Sequence, residues 1–442
     1  MNDTALDAAA VARAAPRGPV RNAAIGLVML ALFTGTAARY VLSPIQELVK
    51  ADLGLGDNQV ALLQGLALAL PTALISLPMG RLVDRTRRNR LLAWLALLCA
   101  AGSVLGALAQ DFAGAFVARM MIGAAVAAGQ PAALSLVADL TEPAVRGRMV
   151  TLISLGQVAG STVAYALAGV LLAWLPAALP AGGALAALAP WRLVLLAFAA
   201  AVLASSVALL FLREPARREA GAQDGTALRA ALRALWGYRH FLLPLAGGMV
   251  TIGMADAAAA IWAVPILTRN FHQAPADFGA WMGMLNLVSG IVGAVLGGVT
   301  ADLGQRRRGH GGALAGAVAG AALSIPAALF AVAPGVGGFA ILLALLLTAG
   351  ACANIAATSA VMVVLPNRLR GTCLSLLVAG IALVAFGIAP LLVSLGARAL
   401  ARDADLTVPL ACVGVVTSIL ATVAFARAMR AAGHAIPSEP TP

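Results

Sequence analysis

Apolar residues gather into long blocks along this chain, each closed off by a short polar segment. A helical block of about 20 residues is enough to cross the ~30 Å hydrocarbon core of a bilayer. Six blocks of that length can be drawn in the first half, at Asn22–Ser43, Gln59–Gly80, Leu91–Gln110, Phe112–Leu136, Met149–Leu175 and Trp191–Phe211. Six more follow at Phe241–Leu267, Gly279–Thr300, Gly311–Ala333, Gly338–Leu365, Thr372–Gly396 and Thr407–Met429. The pattern predicts an all-α integral membrane fold with twelve transmembrane helices. It divides into a tail over 1–21, a six-helix bundle over 22–212, a linker over 213–239, a second bundle over 240–430 and a tail over 431–442.

Composition agrees. The 442 residues are 61% hydrophobic and 11% charged, against about 25% charged in a soluble domain, so lipid is the solvent of most of this surface. Arginine then orients the helices, because Lys and Arg accumulate on the cytoplasmic side of a membrane. Alternate loops are rich in it: Arg81 to Arg90, Arg146 and Arg148, Arg213 to Arg239, Arg306 to Arg308, and Arg368 with Arg370. The opposite loops hold few cations, notably Lys50, Arg269, Arg398 and Arg402. Both termini are expected in the cytoplasm. The net charge of +12 is thereby topological, and no nucleic acid partner is expected. Arg13 to Arg21 ahead of an apolar block imitates a secretory signal. The block is too long and no convincing cleavage site follows, so it reads as the first helix.

The loop after the second block reads Gly80-Arg-Leu-Val-Asp84-Arg85-Thr-Arg-Arg88. It recurs in weaker form half a chain later, where Gly298 is followed by Asp302 and Arg306. A second pair, Pro143-Ala-Val-Arg146-Gly147 and Pro366-Asn-Arg-Leu-Arg370-Gly371, ends the fourth and tenth blocks. Loop chemistry used twice implies a duplicated six-helix unit. The first motif resembles the cytoplasmic loop signature of the major facilitator superfamily, which implies two six-helix halves around one central cavity. A narrower resemblance, to Spinster-like transporters and their bacterial relatives, rests on Arg39-Tyr-Val-Leu-Ser43 with Glu47, Lys50-Ala-Asp-Leu-Gly-Leu and Asp57-Asn-Gln59. It rests also on Arg119-Met-Met-Ile-Gly123, Ser135-Leu-Val-Ala-Asp139, Trp281-Met-Gly and Gly297-Gly-Val-Thr-Ala-Asp302. The resemblance implies a multi-pass protein of a bacterial inner membrane.

The departures bear on mechanism. The Spinster-like pattern has an Asp before the first-helix Arg and a Glu seven residues after the fourth-helix Arg, both tied by resemblance to proton handling. Here those positions are Ala38 and Val126. Arg39 and Arg119 remain, and an uncompensated arginine at membrane depth costs about 2.5–3.5 kcal/mol on insertion scales, so both should face the bundle interior. Helical spacing aligns Gly35, Arg39 and Gln46 in the first helix, Arg119, Gly123 and Gln130 in the fourth, and Ser154, Gln157, Ser161 and Tyr165 in the fifth. From the second half come Asp256, Asn286, Asn354 and Thr358. These residues are the expected substrate cavity, and Asp256, a carboxylate well inside an apolar block, is the candidate coupling site. Each has a plainer alternative: Arg119 braces the fifth helix or backbone carbonyls, Asp256 caps an unwound turn, and the amides and hydroxyls join helices.

Gly80, Asp84, Arg85, Arg88, Asp139, Arg146, Asp302 and Arg306 form the expected gating set. Asp84 would meet the N-terminal dipole of the eleventh helix, and Arg85 and Arg88 would pair with Asp139 and Glu142. Simple positive-inside anchoring is the alternative. The cysteines Cys99, Cys352, Cys373 and Cys412 and the four scattered histidines show no ligand spacing, so neither metal nor other cofactor is expected, and no catalytic motif points to an enzyme. The expected function is a monomeric secondary or facilitative transporter of an amphipathic or organic anion, lysophospholipid-like or carboxylate, with protons as a possible second partner. A multidrug-type proton antiporter is the alternative, and a non-transporting receptor or scaffold is the alternative of another class.

Overall fold

The computed structural model describes residues 19–76, 82–83, 86–141, 145–180, 183, 185–212, 227–400 and 405–432. Within them twelve helices are long and apolar enough to span a bilayer. In chain order these spans are Arg21–Asp52, Asp57–Ile75, Arg88–Leu108, Phe112–Leu140, Thr151–Ala178, Pro190–Leu210, Arg239–Arg269, Pro275–Arg308, Gly311–Val332, Val336–Val364, Leu369–Ala399 and Thr407–Ala432. A short linker helix, Ala227–Gly237, precedes the seventh. No strand occurs among the described residues.

Helix ends follow local chemistry. The Asp111 carboxylate caps the fourth span by accepting from the Gly114 amide at 2.8 Å. The Asp277 carboxylate accepts from the Ala274 amide at 2.9 Å at the start of the eighth, where Pro275 takes the first helical position. That span stops at Gly309, whose φ of 68° is left-handed and resisted by an L side chain. The second and eleventh spans each carry a π-helical segment, Leu62–Leu66 and Ile381–Phe386. The two segments meet where Gly65 lies so close to the Phe386 carbonyl that no Cβ would fit.

The chain packs as two compact units: Met1–Leu42 with Leu74–Gln223, and Ser43–Ala73 with Asp224–Pro442. The first span therefore contributes to both. In the first unit Val28, Leu136, Ile153 and Leu209 are fully buried in one core. Gly160 of the fifth span lies against the Phe33 carbonyl of the first. Buried polar ties add to this packing: Thr34 Oγ1 lies 3.0 Å from Ser205 Oγ, and Ser206 Oγ donates to the Ala93 carbonyl at 2.8 Å.

In the second unit Phe241, Leu245, Ile252 and Phe425 are buried together. The tenth span is cradled by two small-residue ridges. Cβ atoms built at Gly293 and Gly297 of the eighth span would sit 2.5 Å from the Thr348 carbonyl oxygen and 2.7 Å from that of Cys352. At Gly320 of the ninth span a Cβ would sit 2.6 Å from the Ala349 carbonyl oxygen. Lipid tails are as apolar as leucine, so nothing but close packing and polar contacts selects one helix neighbour over another. Glycine ridges give the backbones that approach. Large apolar side chains such as Ile341, Leu74 and Trp94 stay exposed, as they must on helices that face acyl chains.

Candidate functional site

Arg39 is half-buried in the first unit, its guanidinium carbon 5.8 Å from the centroid of the neighbouring Tyr40 ring. Among the described residues its side chain has no hydrogen bond or ion pair. Arg119 is buried and turns towards the first span, where its Nη1 donates to the Arg39 backbone carbonyl at 2.9 Å. One arginine thus donates to the backbone from which the other projects. Around them the missing acids leave an apolar patch. Ala38 is buried with Ala96, Cys99, Ala100, Ile122, Ala125 and Val202, and Val126 packs against that group. Val126 Cγ2 lies 3.8 Å from where a Gly35 Cβ would stand.

Of the other residues aligned with these arginines, Gln130 is exposed, Gln157 and Ser161 are half-buried, and Tyr165 is buried. Ser161 Oγ donates to the Val158 carbonyl of its own helix at 2.8 Å. Gln46 belongs to the second unit rather than to the unit of Arg39. It is buried, its Nε2 donates to the Ile261 carbonyl at 2.7 Å, and its Oε1 accepts from Gln64 Nε2 at 2.8 Å. Both ends of its amide are thus engaged within the protein.

The second unit also holds Asp256, half-buried in the middle of the seventh span. Its Oδ1 is sealed from solvent and has no hydrogen-bond partner among the described residues. The carboxyl lies against Gly350 of the tenth span, where a Cβ would collide with both its oxygens. Sequence periodicity placed Asp256 inside a span but gave no sign that Gly350 makes room for it. Asn286 Nδ2 donates to the Met282 carbonyl at 2.9 Å and Thr358 Oγ1 to the Asn354 carbonyl at 2.8 Å, bonds made within their own helices.

In the expected gating set, Gly80, Asp84 and Arg85 lie outside the described residues, as does the side chain of Arg146. Arg88 and Asp139 meet in an ion pair of 2.5 Å, with side chains 4% and 9% exposed. Arg88 Nη1 also donates to the carbonyl and hydroxyl of Ser135 at 3.2 and 3.0 Å. Asp302 and Arg306 are exposed, and neither makes an ion pair among the described residues.

A charge cluster that sequence reasoning missed lies at the arginine-poor end of the second unit. Arg269 donates through Nε and Nη2 to Glu47 at 2.9 and 2.8 Å, and through Nη1 and Nη2 to Asp57 at 2.9 and 2.7 Å. Lys50 completes it, 2.5 Å from Asp57. The guanidinium fork matches two carboxylates at once, a geometry lysine cannot reproduce. Beside it a cavity of about 520 Å³ is lined by Lys50, Leu55, Gly56, Asp57, Asn58, Gln59, Ser394 and Arg398. The available sequence signal was the pairing of two acids, Glu47 and Asp57, with a cation in an otherwise charge-poor set of loops. Among the described residues no three His, Cys, Asp or Glu side chains converge as a metal site would require.

Residues 28–393 match the family model of the Major Facilitator Superfamily. Among solved structures the chain is similar to a bacterial homolog of the human lysosomal transporter Spinster in an inward-facing, unoccupied conformation. That match has a TM-score of 0.81 and 19% identity over 95% of this chain and 98% of that one. It is similar also to a nucleoside transporter, with a TM-score of 0.71 and 13% identity over 93% of this chain and 99% of the other. A D-xylose–proton symporter aligns with a TM-score of 0.64 and 16% identity over 90% and 96%. No curated protein sequence matches. Identities this low carry the fold, and the fold is shared end to end. With twelve spans and a family match covering most of its length, the chain belongs to the major facilitator superfamily.

Proposed function

We propose that this protein is a secondary transporter that works by alternating access and carries an amphipathic or organic anion, lysophospholipid-like or carboxylate. The observation that carries the reading is Arg39. Its guanidinium is half-buried in an apolar helix with the Tyr40 ring beside it and no hydrogen bond or ion pair among the described residues, while Arg119 donates to the carbonyl behind it. The acids that would neutralise such a pair are replaced by Ala38 and Val126, both in apolar packing. A buried positive pole with no resident anion favours a cargo that brings one. The arginine distribution supports cytoplasmic termini, and the fold of the bacterial homolog supports a bacterial inner membrane.

The test is ligand-dependent thermal stabilisation of the purified protein, with lysophospholipids, organic carboxylates and organic cations as ligands. Arg39→Ala is expected to weaken the anions that stabilise wild type by about tenfold or more, the value of a charge-assisted bidentate contact. Arg39→Lys keeps the charge without the fork and should fall between, and cations should be little affected. A folded Arg39→Ala protein that binds every anion as wild type does would leave Arg39 a structural residue.

A second reading, proton coupling through Asp256, is favoured by its sealed oxygen, which has no donor among the described residues. An ionisable group so placed in a membrane span is a functional candidate, and a proton is the smallest partner that could compensate it. In proteoliposomes Asp256→Asn is expected to abolish the response of anion transport to an imposed pH gradient while downhill exchange continues. Gly350→Ala, which displaces the carboxyl, should reproduce that loss. Gradient-driven transport at wild-type level in both variants discards Asp256 as the coupling site.

A further inference from the structure

The linker helix Ala227–Gly237 has two unlike long edges. Ala231, Ala234 and Leu235, with Tyr238 just beyond, pack into the core of the second unit. At 100° per residue, the opposite side carries Leu232 and Trp236 next to Arg229 and Arg233. Leu232 and Trp236 are 42% and 63% exposed. Both arginines are exposed and have no ion-pair partner among the described residues. The remaining outward positions are Ala230 and Gly237, so the bulky apolar side chains and the charges share one edge.

The position of this edge along the membrane normal follows from its neighbour. One residue, Tyr238, separates the linker helix from the seventh span, which begins at Arg239. Within that span Leu243 is already 60% exposed, as a side chain facing acyl chains must be. Four residues of helix rise by about 6 Å, so the linker helix sits at the level where hydrocarbon gives way to headgroups. Tryptophan is enriched at that level because its ring is apolar and its N–H polar. Arginine there reaches outward to phosphate while its stem stays in the apolar layer.

We propose that this edge of the linker helix is a binding surface for anionic phospholipid. Leu232 and Trp236 enter the acyl boundary, and Arg229 and Arg233 hold the phosphates of the surrounding leaflet. Charge complementarity names the occupant. The twelve spans place this surface in a membrane whatever the cargo, so the inference stands independently of the transport reading. It makes the linker a lipid-sensitive anchor for the start of the seventh span, the helix that carries Asp256.

The full-length protein in nanodiscs of phosphatidylglycerol or of phosphatidylcholine tests it. Quenching by lipids brominated on their acyl chains, taken as wild type minus Trp236→Phe, isolates Trp236 from the other five tryptophans. The expected result is strong quenching of Trp236 in phosphatidylglycerol and a higher Tm there than in phosphatidylcholine. Arg229→Gln with Arg233→Gln should reduce both, Arg229→Lys with Arg233→Lys should keep both, and Arg306→Gln with Arg307→Gln should leave Trp236 quenching unchanged. A Trp236 quenched by aqueous iodide and not by brominated lipid overturns the proposal and leaves a surface for a water-borne partner. So does a phosphatidylglycerol advantage that survives intact in the glutamine pair.

Discussion

Asp139→Ala is expected to destabilise the protein by about 3–5 kcal/mol, the cost of leaving half of a buried ion pair behind. Asp139 lies at the end of the fourth span and Arg88 at the start of the third, and their side chains are 9% and 4% exposed. With the carboxylate gone, the guanidinium loses a 2.5 Å ionic contact, and the neutral Ser135 carbonyl and hydroxyl beside it solvate a charge far less well than an anion does. The pair itself is a different quantity from the cost of breaking it. Arg88→Met combined with Asp139→Leu removes both charges and refills the space, so it should recover most of the loss. Thermal denaturation of the two variants in one detergent decides the matter. If Asp139→Ala melts as wild type does, water reaches the pair and it contributes no more than a surface contact.

Arg269→Ala should be the next most damaging change, on the order of 3 kcal/mol. Arg269 is the hub of four charge-assisted hydrogen bonds, to Glu47 and Asp57. Without it the two carboxylates face each other, and among the described residues the one ion pair left to them is that of Lys50 with Asp57. Glu47, Asp57 and Arg269 are 23%, 14% and 19% exposed, so water recovers part of the cost and the loss stays below that of a fully buried pair. Arg269→Lys supplies three donors from a single point and cannot fork to both acids, so an intermediate loss is expected. Glu47→Gln with Asp57→Asn in the Arg269→Ala background should restore stability, because the repulsion left by the first change is then gone. If added salt restores Arg269→Ala as fully as that pair does, the cluster is a screened surface network rather than a partly buried one.

Sequence alone determined the elements of this protein. Twelve spans follow from block length because the bilayer has a fixed thickness and tolerates no unpaired backbone. The superfamily was legible in a loop motif used twice, because a duplicated unit repeats its loop chemistry. Ala38 and Val126 could be recognised as missing acids, and the structure added that both lie in apolar packing beside Arg39 and Arg119. The contact of Arg88 with Asp139 could be anticipated because opposite charges flank the adjoining third and fourth spans.

Tertiary structure decided which faces meet. Arg269 is 222 residues from Glu47 and 212 from Asp57, and no periodicity within a helix names a partner that far away. Gln46 shares a face with Arg39 in the first span, yet it bonds to Gln64 and to the Ile261 carbonyl in the other unit. Asp256 was visible as a carboxylate in an apolar block, but the space it occupies exists because the tenth span has a glycine at 350. The physical reason is common to all three. In lipid, apolarity tells a helix to span the membrane without telling it which neighbour to choose. That choice rests on small residues and a few polar contacts, and these become specific only when the helices are side by side.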